Sequence, residues 1–180
     1  MMKEVQILDK KFILTLSAET IDKEVSRVAE EINRDFKDKN PIFLAVLNGA
    51  FMFAADLMKK VNIPSEISFV KLASYQGLNS TGVIKDVMGL SENIKDRVVV
   101  IVEDIVDTGV TMQHMLEVLG MHNPKEIHIA TLLTKPDKLK VSLNIDYNAI
   151  AIPNDFIVGY GLDYDGYGRN LPEIYTLKQK

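Results

Sequence analysis

The 180-residue chain contains no cysteine and no tryptophan. Without thiols there are no disulfides, no thiolate nucleophiles and no cysteine-ligated zinc. That fits a reducing compartment, and a cytoplasmic location is the expectation. No apolar run approaches the roughly 20 residues that a membrane-spanning helix needs. The opening segment MMKEVQILDKKF mixes charged and apolar residues and has no signal-peptide core. Positive charge is not in surplus. The 21 Lys and Arg stand against 25 Asp and Glu for a net charge of −4, with no basic run, which argues against nucleic acid as the main partner. The three histidines, His114, His122 and His128, show no metal-ligand spacing with nearby acids. Repeats and low-complexity segments are also missing. What is present is enough apolar residue, 47% of the chain, for one α/β domain that buries roughly 70% of its unfolded surface without a disulfide or structural metal.

Periodicity places the elements. Ile21, Val25, Val28, Ile32 and Phe36 recur every three or four residues, which predicts an amphipathic helix with Ser17 or Thr20 as its N-cap. Pro41–Leu47 reads as a buried strand broken by Asn48-Gly49, and Phe51–Val61 as a helix. Glu66–Ala73 reads as a strand, Ser74–Gly82 as a polar loop, and Val83–Val87 as a strand beyond it. A strand over Glu126–Leu133 ends at Thr134-Lys135-Pro136. Shorter strands follow at Ala149–Ile152 and Phe156–Tyr160, before an acidic, aromatic loop that runs to Arg169. This alternation implies βαβ units and a mostly parallel twisted sheet flanked by helices. Ligands of such sheets bind beyond the carboxyl ends of the strands.

Arg97–Met112, RVVVIVEDIVDTGVTM, carries the most chemistry. Five β-branched residues, Val98–Val102, form a buried strand that runs into Glu103 and Asp104. A Gly-containing turn, Asp107-Thr108-Gly109, then leads to a helical pattern from Thr111. Such a turn offers backbone N–H groups and threonine hydroxyls to an anion. It is not a Walker loop, because it lacks the Gly-Lys-Ser/Thr ending. Taken alone it is as well explained by an ordinary turn with Thr111 as N-cap. The adjacent carboxylates tip the balance. They repel each other and a bare phosphate, but they suit a sugar diol, a Mg²⁺ ion, or both.

VVVIVEDIVDTGVTM resembles the phosphoribosyl-pyrophosphate (PRPP) motif of type I phosphoribosyltransferases. Four further segments resemble those of the hypoxanthine or hypoxanthine-guanine branch: VLNGAFMF at 46–53, Ser74-Tyr75 heading a flap, Leu133-Thr134-Lys135-Pro136, and IPNDFIVGYGLDY at 152–164. The resemblance implies the type I phosphoribosyltransferase fold as a single domain over residues 1–180. It implies a small hood built from approximately residues 1–16 and 149–180.

It also implies roles. Asp107, Thr108, Gly109, Val110 and Thr111 would wrap the 5′-phosphate, and Glu103 and Asp104 would hold the ribose hydroxyls and Mg²⁺. Asp107 would exchange the proton at purine N7. Asn48, Gly49 and Arg169 would contact pyrophosphate, with the bond before Asn48 often cis in this family. Lys135 would donate to the purine 6-oxo group, Phe156 would stack on the base, and Ile157 would read its edge. Asp163 would hold a second Mg²⁺ or orient the base. Three positions depart from common family usage: Asn48 and Asp155, where a cation is frequent, and Val110.

The implied activity is purine salvage, with 5-phosphoribosyl passing from PRPP to hypoxanthine, and to guanine, in a homodimer or homotetramer. A PRPP-sensing regulator on the same fold should carry a basic face and could dispense with Lys135, so the acidic balance disfavours it. An adenine transferase is disfavoured by Lys135, whose ammonium suits an accepting oxo group over an amino donor. A xanthine transferase is disfavoured by the hood sequence.

Overall fold

A computed structural model describes residues 3–74 and 84–178. A hairpin, β1 (Glu4–Ile7) and β2 (Lys10–Leu16), opens the chain. It leads into α1 (Ala18–Asp35), where Ser17 is the N-cap and its hydroxyl accepts from the Thr20 amide. Then come β3 (Ile42–Leu47), α2 (Phe51–Lys60), β4 (Glu66–Ser74), β5 (Ile84–Met88), β6 (Val98–Val106), α3 (Val110–Gly120), β7 (Glu126–Thr134), β8 (Tyr147–Ala151), β9 (Ile157–Val158) and β10 (Ile174–Leu177).

The large sheet has the order β5-β4-β3-β6-β7-β8; it is parallel except for the antiparallel edge strand β5. Its central strands β3 and β6 are apolar on both faces, as strands covered by helices must be. Phe43, Ala45, Val100 and Val102 pack with α1 and α2 on one face. Ile42, Leu44, Val99 and Ile101 pack with Met112, Met115 and Leu119 of α3 on the other. The helices that follow β3 and β6 therefore leave toward opposite faces. A crevice must open between the carboxyl ends of these two neighbours, at a topological switch point.

Three differences from the sequence expectations have physical reasons. First, β6 continues to Val106, because Glu103, Ile105 and Val106 stay in register with Thr131, Leu133 and Thr134 of β7. The two acids thus lie within a paired strand. Second, α3 begins at Val110 behind Gly109, whose φ of 78° makes it a left-handed cap, so Thr111 sits inside the first turn. Third, β1, β2, β9 and β10 form a separate antiparallel sheet, and Tyr175 opposite Leu14 joins its two chain ends. Residues 149–151, expected with those ends, belong instead to β8 of the large sheet. The Phe156–Tyr160 strand is reduced to Ile157–Val158. The flap lies outside the described residues from Tyr75 onward, as does Val83. Ser74 is the last residue of β4.

Candidate active site

A cavity of about 380 Å³ opens at the switch point, a size suited to a small phosphorylated ligand. Its walls include Leu47 and Gly49 from the end of β3, Glu103–Gly109 and Thr111 from β6 and its turn, and Asp163 and Arg169 from the late loop. The parallel register of β3 and β6 brings the first two groups together, although they are about fifty positions apart.

Glycine permits the tightest approach. A β-carbon on Gly49 would lie 1.5 Å from Asp104 Oδ2. One on Gly161, at φ 99°, would lie 2.0 Å from the Gly49 carbonyl oxygen. Any other side chain at either place would push the β3 turn, Asp104 and the late loop apart. The Leu47–Asn48 peptide is cis. The Asn48 side chain is exposed and is not part of the cavity wall.

The carboxylate pair is poorly compensated. Ile105 N–H donates to Asp104 Oδ1 at 2.7 Å, and Asp104 N–H donates to Glu103 Oε1 at 3.2 Å. Burial, reinforced by the neighbouring Asp104, holds the Glu103 carboxyl well above the usual range. Burial also pushes Asp104 up, against the pull of hydrogen bonds and of Arg169. Among the described residues no three His, Cys, Asp or Glu side chains gather as a metal site. The pair nonetheless fits Mg²⁺, which takes one or two protein carboxylates and completes its shell from water and substrate phosphates. Half-buried carboxylates with little positive charge beside them are the donor set that a divalent cation relieves.

Asp163 does not join that pair. Its Oδ1 meets Arg169 Nη2 at 2.5 Å, and its Oδ2 accepts from the Gly166 amide at 2.7 Å. Arg169 Nη1 also donates to the Gly161 carbonyl at 2.7 Å. The arginine that sequence reading assigned to pyrophosphate is therefore already oriented by the loop that carries it.

Asp107 faces the cavity from the turn. Its Oδ2 accepts from Lys138 Nζ at 2.9 Å, and its Oδ1, sequestered from water, has no partner among the described residues. Lys135, Phe156 and Ile157 form a second group beside the cavity and do not line it. Lys135 is only 7% exposed and donates to the Asp155 carbonyl at 2.7 Å. Burial pulls its ammonium below the usual lysine range, with Asp107 acting in the opposite sense. Phe156 is 45% exposed. Its ring lies edge-on to Tyr164 at 5.9 Å and is capped by Lys10 Nζ, 5.6 Å from the centroid. Val110 is exposed on α3 and stands outside the cavity wall.

Sequence reading missed two cations. Lys71, directly opposite Leu47 in the register of β4 against β3, lines the cavity, and Lys138 pairs with Asp107. Neither carries a sequence signal, since each matters only because of which strand lies next to it.

A strand–turn–helix cradle with paired acids at a switch point suits a phosphate, a sugar diol and a metal ion bound together. The family model described as "Phosphoribosyl transferase domain" matches residues 16–165. Similar proteins narrow the branch. The hypoxanthine phosphoribosyltransferase of Buchnera aphidicola is 43% identical over 88% of this chain and 92% of its own. The hypoxanthine-guanine phosphoribosyltransferase of Aquifex aeolicus is 38% identical over 98% and 99%. A crystal structure of a Bacillus anthracis hypoxanthine-guanine phosphoribosyltransferase superposes with a TM-score of 0.83 at 34% identity, covering 99% of both chains. The chain belongs to the phosphoribosyltransferase family, in its hypoxanthine(-guanine) branch.

Proposed function

We infer that the chain catalyses Mg²⁺-dependent transfer of the 5-phosphoribosyl group from PRPP to hypoxanthine and guanine, releasing pyrophosphate and the purine nucleotide. The observation that carries this reading is the single cavity shared by the Asp107–Thr111 cradle, the Glu103–Asp104 pair and Arg169, with Lys135 and Phe156 beside it. The turn amides and the hydroxyls of Thr108 and Thr111 hold the 5′-phosphate. Glu103 and Asp104 accept from the ribose hydroxyls and bind Mg²⁺. When bound, the ion neutralises charge that develops on the leaving pyrophosphate.

Gly49 offers backbone N–H to pyrophosphate, with Asn48 beside it, and Arg169 supplies a planar fork. Lys71 contributes the positive charge that Asn48 does not. No side-chain ion pair engages it among the described residues, which supports a role on a polyanionic substrate. Lys135 has three donors and spends one on Asp155, leaving two for the 6-oxo edge of the base. Phe156 stacks on the ring and the Ile157 backbone reads its edge. The Asp107 carboxylate manages the N7 proton as the base attacks C1′. The sheet of β1, β2, β9 and β10 serves as the hood.

No helix among the described residues is long and apolar enough to cross a membrane; the place of action in this reading is the cytoplasm. Exposed Phe51, Ile67 and Phe69 support self-association as a homodimer or homotetramer. The test is chemical. Protein supplied with PRPP, Mg²⁺ and hypoxanthine should form nucleotide and pyrophosphate in equal amounts, and chelation of the metal should stop it. Absence of nucleotide at any metal concentration would remove the reading.

A further inference from the structure

Asp107 is held on one side only, and the residue that holds it comes from another strand. We propose that Lys138 is a positioning residue that holds the Asp107 carboxylate, through Oδ2, in the orientation needed to exchange the purine proton. The proposal rests on the role of Asp107 given above.

The chain builds this contact. β7 runs beside β6 to Val106 opposite Thr134, and Lys135 N–H donates to the Val106 carbonyl at 3.1 Å. Pro136 then starts a single 3-10 turn, Pro136–Lys138, which bends the chain back over the phosphate turn. Lys140 N–H donates to the Thr108 carbonyl at 3.0 Å. Val141 and Leu139 fill the space beside Gly109, 2.9 and 3.2 Å from where its β-carbon would stand. The backbone on either side of Lys138 is thus pinned to the cradle, and the lysine arrives at Asp107 with little freedom left to lose. The side chains are 36% and 40% exposed, and ion pairs that wet contribute little to stability. What the pair does supply is direction. A carboxylate with Oδ1 buried and Oδ2 held by the lysine keeps one orientation relative to the cradle and the 5′-phosphate bound there. Near-attack geometry of this kind is lost with displacements of about 1 Å.

The pair is tested by steady-state kinetics on Lys138→Met, Lys138→Arg, Asp107→Asn and the Asp107→Asn/Lys138→Met double variant, with PRPP and hypoxanthine. Lys138→Met should lower kcat by roughly 10- to 100-fold, with both KM values within about threefold of the parent, since ground-state binding is untouched. Lys138→Arg, which restores a donor at Oδ2, should recover kcat to within about threefold. Lys138→Met should cost nothing further once Asp107 is Asn, because the lysine acts through that carboxylate. Unchanged kcat in Lys138→Met overturns the proposal. So does a loss that persists in full beside Asp107→Asn, or one that arginine does not recover. Unchanged kcat in Asp107→Asn alone overturns the role of Asp107 itself, and the two failures are told apart by that single variant.

Discussion

Glu103→Gln should make the ligand-free protein more stable and the enzyme nearly inactive. Glu103 and Asp104 sit side by side near the end of β6, and burial raises both carboxyl groups, Glu103 the more strongly. The fold supplies two backbone amides and the field of Arg169, which is little for two adjacent half-buried acids. An isosteric amide removes one charge and keeps the acceptor for the Asp104 amide. The gain at pH 8 is about 2 kcal/mol, the scale of a buried polar group freed from an unmet desolvation cost. For a chain of this size that is a rise in Tm of roughly 4–8 °C.

The pH dependence follows from the direction of the shift. Folded Glu103 keeps its proton to higher pH than the unfolded chain does, so its penalty is absent below the ordinary glutamate range and grows as pH rises through it. The variant's advantage should therefore be large at pH 8 and small at pH 4.5. Mg²⁺ with PRPP should raise the parent's Tm far more than the variant's, since only the parent keeps the full donor set. Scanning fluorimetry of both proteins at the two pH values reads all of this. A variant less stable than the parent at pH 8 would refute the claim that the pair is held at a cost to the fold.

Gly49→Ala places a β-carbon where Asp104 Oδ2 now lies; PRPP affinity should fall at least tenfold (about 1.4 kcal/mol), read by calorimetry. Lys71→Met should raise the KM for PRPP several-fold while kcat and the KM for hypoxanthine hold, which steady-state kinetics checks. Lys135→Met should cut kcat/KM for hypoxanthine by roughly 10²-fold or more, because the 6-oxo group loses a charged donor in a dry setting. Asp107→Asn should lower kcat by about 10²–10⁴-fold, the usual contribution of a positioned acid–base group, with PRPP binding preserved in an equilibrium titration.

Much of this was legible in residue order. The run Val98–Val102 announces a strand buried on both faces, and the acids and glycine turn after it announce a ligand at its end. Local pattern carries both, because a strand's period and a turn's glycine are properties of neighbours in the chain. Long-range pairing is another matter. β2 and β10 meet as Leu14 against Tyr175, a contact across most of the chain that seven weakly alternating residues cannot signal. The same limit hid Lys71, whose position follows from β4 lying next to β3, and Lys138, which reaches Asp107 only because β7 lies next to β6. Asp163 shows the converse. The resemblance implied that it holds a second Mg²⁺ or orients the base; what residue order did not signal is that the turn after it, with Asp165 and Gly166 at positive φ, brings the Gly166 amide to one of its oxygens, while Arg169 takes the other.

The most direct test is a side-by-side measurement of kcat/KM for hypoxanthine, guanine, xanthine and adenine with PRPP and Mg²⁺. A site whose buried lysine reads a 6-oxo group should favour hypoxanthine and guanine over adenine by at least about 10³-fold. Comparable turnover of adenine, or nucleotide from none of the four bases, would contradict the account.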